Sequence, residues 1–272
     1  AHAGEESLNE CMDDFGGFDH NIQTLRIITL LERKYYNFKG LNLSIETLDG
    51  LIKHNGPVLD KFKYDKILGK KIFKKKINFL NKPSLESQIS SISDDIAYNS
   101  HDLEDGLKAG LFKIEELNGI PIISDIIYKH KKKLKKKEKE LVLRQIVRDI
   151  INEMVKDVLI NMKKNIKYEN PKNINDIYKA KIKLVDFSDK MTNFDLAIKF
   201  FLKSNMYFHK TVLNKTNEGK KIIKTLFSKI KKNPKKFIKK ESLYNESKER
   251  NICDFIAGMT DRYAINLYNS IK

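Results

Sequence analysis

The sequence lacks long hydrophobic runs and contains little cysteine. No apolar run approaches the roughly 20 residues that a membrane-spanning helix needs, and the polar, acidic first residues do not resemble a secretory signal. The two cysteines, Cys11 and Cys253, lie far apart, so neither a CxxC metal site nor a disulfide framework is indicated. We therefore expect a cytoplasmic protein in a reducing compartment, with no membrane partner.

Arginine is also scarce, although the chain is strongly basic. Only six of the 53 Lys and Arg residues are Arg, and the formal net charge is +17. Specific reading of nucleic-acid bases favours the planar arginine side chain, which pairs with guanine. The lysine excess is typical either of compositional drift or of a positive field that steers polyanions such as nucleotide triphosphates or nucleic acid. Composition leaves both interpretations open.

Proline is rare as well, with five in 272 residues, and no segment alternates convincingly between polar and apolar residues. Apolar residues instead recur at helical spacing in segments 21–34, 85–103 and 143–159. Pro83 and Ser84 predict the start of a long helix. The Lys-rich segment 60–82 is predicted to be a loop with one turn of helix. The pattern as a whole predicts an all-α protein.

One helical segment, "SLESQISSISDDIAYNSHDLEDGL" at 84–107, contains no lysine in a chain rich in it. At 100° per residue, several of its polar residues share one side, almost opposite the apolar stripe. These are Asp94, Tyr98, His101 and Asp105, and Asp102 flanks them. Carboxylates can bind a hard metal such as Mg²⁺ or Mn²⁺ and accept hydrogen bonds from a sugar. The alternative is the solvent face of an ordinary amphipathic helix.

The first residues contain a second pattern, in which His2 and Glu5 are three positions apart. On a helix or a tight turn these side chains point the same way. A histidine oriented by a carboxylate is suited to donate or accept a proton near neutral pH. Such pairs also arise often by chance, so the spacing alone is a weak signal.

Five segments occur in a fixed order along the chain: "HAGEESLNECM", "FGGFDHNIQTLRI", "GLNLSIETLDGLIKHNGP", "SLESQISSISDDIAYNSHDLEDGL" and "DFIAGMTDRYA". Together they make the sequence closely resemble the deoxyguanosine triphosphate triphosphohydrolases of the HD-domain superfamily, from the first residue to near the last. The resemblance implies an all-α, HD-domain-like helical bundle with a C-terminal helical extension. Residues 1–125 would be the remainder of the catalytic domain, and residues 126–272 a helical region packed on it.

The resemblance also implies an activity. Enzymes of this family bind a divalent metal, most often Mn²⁺ or Mg²⁺, through a His, an adjacent His-Asp pair and a later Asp. They hydrolyse a deoxynucleoside triphosphate in one step to deoxynucleoside and inorganic triphosphate, and they are commonly homo-oligomers, often hexamers. The His-Asp pair stands just upstream of a segment like "AHAGE", with which this chain starts. We therefore expect the chain to lack the first metal His and the His-Asp pair, and to be inactive as an isolated fragment.

Four residues match family positions near the phosphates, and a fifth departs from the family pattern. By resemblance, His2 is the catalytic histidine beside the scissile phosphate, and Glu5 is its partner. Asn21 and Lys53 match positions that contact the substrate phosphates. His54 falls among the substrate-binding positions, where relatives often carry Tyr, and this departure puts its role in doubt.

Three residues on the long helix match family positions that act on the metal and the sugar. Asp94 corresponds to the last metal ligand. Tyr98 would pack against the deoxyribose and leave little space for a 2′-hydroxyl, and Asp102 would accept a hydrogen bond from the 3′-hydroxyl. Steps of four residues advance about 6 Å along a helix, so metal, sugar ring and hydroxyl can be met in sequence.

Outside these positions the sequence supports simpler interpretations. His20 either lies near the substrate pocket that the resemblance implies or is a buried structural residue, and the sequence favours neither alternative. His130 and His209 are interpreted as surface or core residues. Thr260 and Asp261 are expected to cap or brace the last helix.

Two other functions stay open. The first is a basic helical protein that binds single-stranded nucleic acid without catalysis, which the Lys runs at 70–76 and 130–138 favour and the lack of an Arg-plus-aromatic stacking pattern disfavours. Nucleic-acid affinity would collapse steeply with salt, whereas metal-dependent hydrolysis would respond mainly to chelator. The second is an HD-family phosphohydrolase with another substrate preference. The run at 130–140 is otherwise predicted to be a solvated helical hinge.

Overall fold

A computed structural model describes residues 2–68, 77–134, 139–238 and 246–271. Every regular element within these ranges is helical, so the predicted all-α class is confirmed. None of these helices is both long and apolar enough to cross a membrane. The described α-helices are α1 (His2–Cys11), α2 (His20–Arg26), α3 (Ile45–Ile52), α4 (Lys61–Leu68), α5 (Leu85–Lys108), α6 (Ile123–Leu134), α7 (Lys139–Glu169), α8 (Ile174–Lys179), α9 (Asp189–Leu202), α10 (Lys210–Lys232), α11 (Lys248–Ala257) and α12 (Asp261–Ser270).

The chain packs as two compact units that are each discontinuous in sequence. The first unit contains residues 1–52, 58–79 and 213–272, and the second contains residues 53–57 and 80–212. The units therefore do not divide at 125/126, where the resemblance places a domain boundary. Their composition follows the apolar cores, because the C-terminal helices share a core with α1 while α5, α6, α7 and α9 share another. The two domains inferred from the family stay a prediction.

The first unit is built on two apolar clusters. In one, Leu8 of α1 and Met12, which directly follows α1, pack with Leu226 of α10 and with residues of α11 and α12. In the other, the apolar side of α2 packs against the end of α3 and against α4. Arg26, at the end of α2, is buried and pairs with Asp254 of α11 at 2.6 Å. This ion pair ties α2 to α11.

The described residues of the second unit share one apolar core, to which α5, α6, α7 and α9 each contribute one side. The apolar stripe of α5 lies in this core through Ile92, Ile96 and Leu103. Close packing requires a glycine at position 106, since a Cβ there would lie 2.3 Å from the ring of Phe112. The opposite side of α5 is consequently left facing away from the core.

Side-chain caps begin three of the described helices, α5, α2 and α12. Ser84 Oγ accepts the backbone N–H three positions on at 3.3 Å, so the long helix starts where Pro83 and Ser84 predict. Asp19 Oδ1 accepts two backbone N–H groups at the start of α2, at 3.0 and 3.1 Å. Thr260 Oγ1 accepts the N–H of Tyr263 at 3.3 Å, which confirms the predicted cap of the last helix.

Segment 60–82 contains more helix than predicted. α4 forms two turns there, because Ile67 and Leu68 bury against α2. That long-range contact is invisible in a local pattern dominated by lysine. Residues 69–76 and 135–138 lie outside the described residues, so the interpretations of the two Lys runs stay predictions.

Candidate active site

The polar side of α5 is exposed, as its pattern predicts. The Asp94 side chain is 73% exposed, and Tyr98 is 45% exposed. Asp102, one turn further on, is half-buried. The three predicted residues therefore form a continuous polar surface along one helix, which we call the α5 face.

His54 lies next to the α5 face. Its Nε2 is 3.5 Å from Asp94 Oδ2, a distance typical of a loose ion pair and longer than a strong hydrogen bond. His54 belongs to the turn that follows α3, within residues 53–57 of the second unit. The structure thus brings together a predicted metal ligand and a predicted substrate-binding residue.

Sequence reasoning missed Tyr207, which completes the other end of the α5 face. This residue ends the wide helical turn Lys203–Tyr207 that continues α9, and its hydroxyl donates a hydrogen bond to Asp102 Oδ2. Burial and the hydrogen bonds to Asp102 and Tyr98 raise the pKa of Tyr207 well above its usual range. The hydroxyl therefore stays protonated, and the carboxylate of Asp102 keeps further acceptor positions for a ligand.

A lysine that contacts substrate phosphates is expected to be exposed, whereas Lys53 is buried. It is only 2% exposed, and its Nζ lies 5.6 Å from the ring centroid of Tyr178. A lysine with so little exposure normally has a partner, and an aromatic face is one such partner. Its proposed contact with substrate phosphates stays a prediction.

In the first unit, Glu5 and His20 form a hydrogen-bonded pair. Glu5 Oε1 lies 2.7 Å from His20 Nδ1 and accepts the backbone N–H of His20 at 3.2 Å. The His20 side chain is 60% exposed, so it is not a buried structural residue. Both residues line a pocket of about 290 Å³. The carboxylate fixes the imidazole orientation and leaves Nε2 directed away from it, an arrangement suited to proton transfer.

The remaining predicted residues of the first unit are only partly defined. His2 is the first residue of α1, but its side chain lies outside the described part of the chain. Its pairing with Glu5 therefore stays a prediction beside the observed pair of Glu5 with His20. Asn21 is half-buried in the first turn of α2, where its N–H donates to Asp19.

The resemblance to HD-domain phosphohydrolases implies a divalent metal, for which Asp94 is the predicted ligand. Within the described residues, no group of three or more His, Cys, Asp or Glu side chains could hold an ion. Among the residues that the structure describes, only His54 lies at ion-pair distance from Asp94. These residues alone do not fit a complete metal site, so Asp94 as a metal ligand stays a prediction.

A sequence model of the phosphohydrolase-associated domain matches residues 185–270, from before α9 to the end of α12. The C-terminal part of the chain is therefore similar to a domain associated with phosphohydrolases.

Three relatives are named deoxyguanosinetriphosphate triphosphohydrolase-like proteins. The chain is 52% identical to one from Pelagibacter ubique, over 99% of the chain and 72% of the relative. It is 38% identical to one from Parvibaculum lavamentivorans, over 97% and 69%. It is 39% identical to one from Bartonella tribocorum, over 99% and 70%. The chain belongs to the deoxyguanosinetriphosphate triphosphohydrolase-like family, which confirms the resemblance.

Proposed function

We propose that the protein hydrolyses deoxynucleoside triphosphates, dGTP among them, to a deoxynucleoside and inorganic triphosphate. The observation that supports this most directly is the α5 face, on which an exposed tyrosine stands one turn from a carboxylate already held by Tyr207. A rigid acceptor beside an aromatic ring is suited to a sugar that offers one hydroxyl and one apolar face.

The α5 face would bind the nucleoside. Tyr98 packs against the deoxyribose and crowds the position of a 2′-hydroxyl, while Asp102 accepts a hydrogen bond from the 3′-hydroxyl. Tyr207 holds the Asp102 carboxylate through one oxygen and so fixes the direction of the other. Selection of deoxyribose then follows from a steric limit and one oriented acceptor.

In the reaction, water attacks the α-phosphorus and the bond to the nucleoside 5′-oxygen breaks. The leaving oxygen takes a proton, and triphosphate is released. His2, with Glu5, is proposed to move a proton, and His20, which is hydrogen-bonded to Glu5, is proposed as the alternative residue for this task. Asn21 and Lys53 are proposed to contact phosphate oxygens. Asp94 would contribute one ligand to a Mn²⁺ or Mg²⁺ ion, and His54 lies beside it.

The test uses the protein expressed from its whole open reading frame. Triphosphate release from dGTP is measured with Mn²⁺ and again with excess chelator. The proposal predicts release that chelator abolishes, and absence of triphosphate from every deoxynucleoside triphosphate would overturn it. Asp102→Asn should reduce the preference for dGTP over its 2′,3′-dideoxy analogue, because the acceptor for the 3′-hydroxyl is weakened. The matched control is Asp125→Asn, an exposed acid of α6, which should leave that preference unchanged.

The net charge of +17 favours a second proposal, binding of single-stranded nucleic acid. Affinity measured by fluorescence anisotropy should fall steeply between low and physiological salt if phosphate contacts dominate. An affinity insensitive to salt, or no binding, would remove this function. A homo-oligomer in the cytoplasm is part of the family-based proposal, and light scattering on the purified protein tests the oligomer.

A further inference from the structure

We propose that Asp195 is a positioning residue for the α5 face and acts through Asn99. This inference rests on the proposed function. Asp195 lies on α9 and is 6% exposed, and its Oδ1 accepts a hydrogen bond from Asn99 Nδ2 at 2.5 Å. Asn99 is 1% exposed and directly follows Tyr98 in sequence. The contact therefore fixes α5 at the residue next to Tyr98, which is proposed to pack against the deoxyribose.

Lys199 extends the contact to a second point on α5. Its Nζ lies 2.9 Å from Asp195 Oδ2 and 3.1 Å from Asp95 Oδ1. Asp95 directly follows Asp94. The network consequently attaches α5 to α9 at positions 95 and 99, and each point is one residue from a member of the α5 face.

The amide of Asn99 depends on this network for its orientation. Its Oδ1 is buried and has no hydrogen-bond partner among the described residues. The bond from Nδ2 to Asp195 is therefore the contact that selects one of the two amide orientations. Loss of the carboxylate would leave a buried amide free to turn, and α5 could rotate to satisfy it.

A small rotation of α5 would be enough to affect binding. The side chains of a helix extend about 5–6 Å from its axis, so a rotation of about 10° moves their tips by about 1 Å. A misplacement of about 1 Å can lower a reaction rate about 100-fold. Tyr98 and Asp102 would move together, because they are one turn apart on the same helix. Tyr207, which lies on the helical turn that continues α9, would also have to move in order to keep its hydrogen bond to Asp102.

The test compares dGTP with GTP in Asp195→Asn, in the protein expressed from its whole open reading frame. This change keeps the shape but replaces one of the two acceptor oxygens with a donor, so the donors Asn99 Nδ2 and Lys199 Nζ can no longer each have their own acceptor oxygen. We expect kcat/KM for dGTP to fall about tenfold, and the dGTP-to-GTP preference to fall several-fold with a rise in KM. Lys199→Met is the second variant. Lys199 is partly exposed, so its replacement is less disruptive to folding than a change at the buried Asp195. This variant should also lower the preference for dGTP over GTP.

Asp157→Asn is the matched control. Asp157 of α7 accepts the N–H and the hydroxyl of Ser188 at 2.8 and 2.6 Å, at the start of α9. It should lower stability without changing the preference for dGTP. Folded Asp195→Asn and Lys199→Met proteins with wild-type preference would overturn the inference. If the wild-type protein hydrolyses no deoxynucleoside triphosphate, the proposed function itself is refuted, and that result is distinct from an unchanged preference in the variants.

Discussion

Replacement of Gly106 by alanine tests how closely α5 is packed in the second unit. The added Cβ would lie 2.3 Å from Cε1 and 2.5 Å from Cζ of Phe112, whereas carbon atoms in favourable contact are about 3.5–4.0 Å apart. The buried ring of Phe112 would have to move by about 1 Å. Phe201 resists that movement, because its ring packs edge-on at 4.9 Å between centroids and 88° between planes.

The change in stability that Gly106→Ala causes is the balance of two opposing contributions. Overpacking a core costs about 1–3 kcal/mol, and alanine gains about 1 kcal/mol over glycine within a helix. We therefore expect Gly106→Ala to lose about 1 kcal/mol, which lowers Tm by about 2–4 °C.

Gly219→Ala is the matched control for this experiment. Position 219 lies within α10, and among the described residues no heavy atom beyond its chain neighbours and the adjacent helix backbone would come within 4 Å of the new Cβ. The helical gain is then not opposed, so Tm should rise. Thermal unfolding followed by circular dichroism measures both variants. A Tm for Gly106→Ala at or above that of the wild type would refute the packing argument.

Three further predictions concern buried charge and cysteine. Arg26→Met leaves Asp254 without its cation and should cost about 3–5 kcal/mol in urea unfolding, so a loss below about 1 kcal/mol would contradict the role of this ion pair. Burial would raise the pKa of Asp19, but Lys63 and a backbone N–H lower it overall. Its stabilisation is therefore present above the usual pKa of 3.8 and lost as pH falls below it, so Asp19→Asn should flatten the acid side of the stability curve. Burial raises the pKa of Cys253 to about 12, so iodoacetamide at pH near 8 should label it only in urea, and rapid labelling of the native protein would show that it is accessible.

Local patterns predicted the elements that carry the site. Helical spacing with Pro83 and Ser84 predicts α5 and its start, and the structure confirms both. The side of α5 that bears Asp94 and Tyr98 is exposed, as its polarity indicates. These features could be predicted from the sequence because helix geometry and side-chain caps depend on only a few neighbouring residues.

Contacts between residues that are distant in sequence could not be predicted from local patterns. Tyr207 meets Asp102 across 105 positions, and no periodic signal marks it. Glu5 pairs with His20 across 15 positions, although its nearest candidate by spacing is His2. The compact units are likewise discontinuous, because tertiary packing brings the C-terminal helices to α1. Each of these features depends on how helices associate, which a single sequence does not specify locally.

A crystal structure with a dGTP analogue that resists hydrolysis at the α-phosphorus tests the central claim most directly. The account predicts the 3′-hydroxyl within about 2.6–3.2 Å of the Asp102 carboxylate, with the deoxyribose packed on the ring of Tyr98. A nucleotide bound elsewhere, with the α5 face still open to solvent, would contradict it.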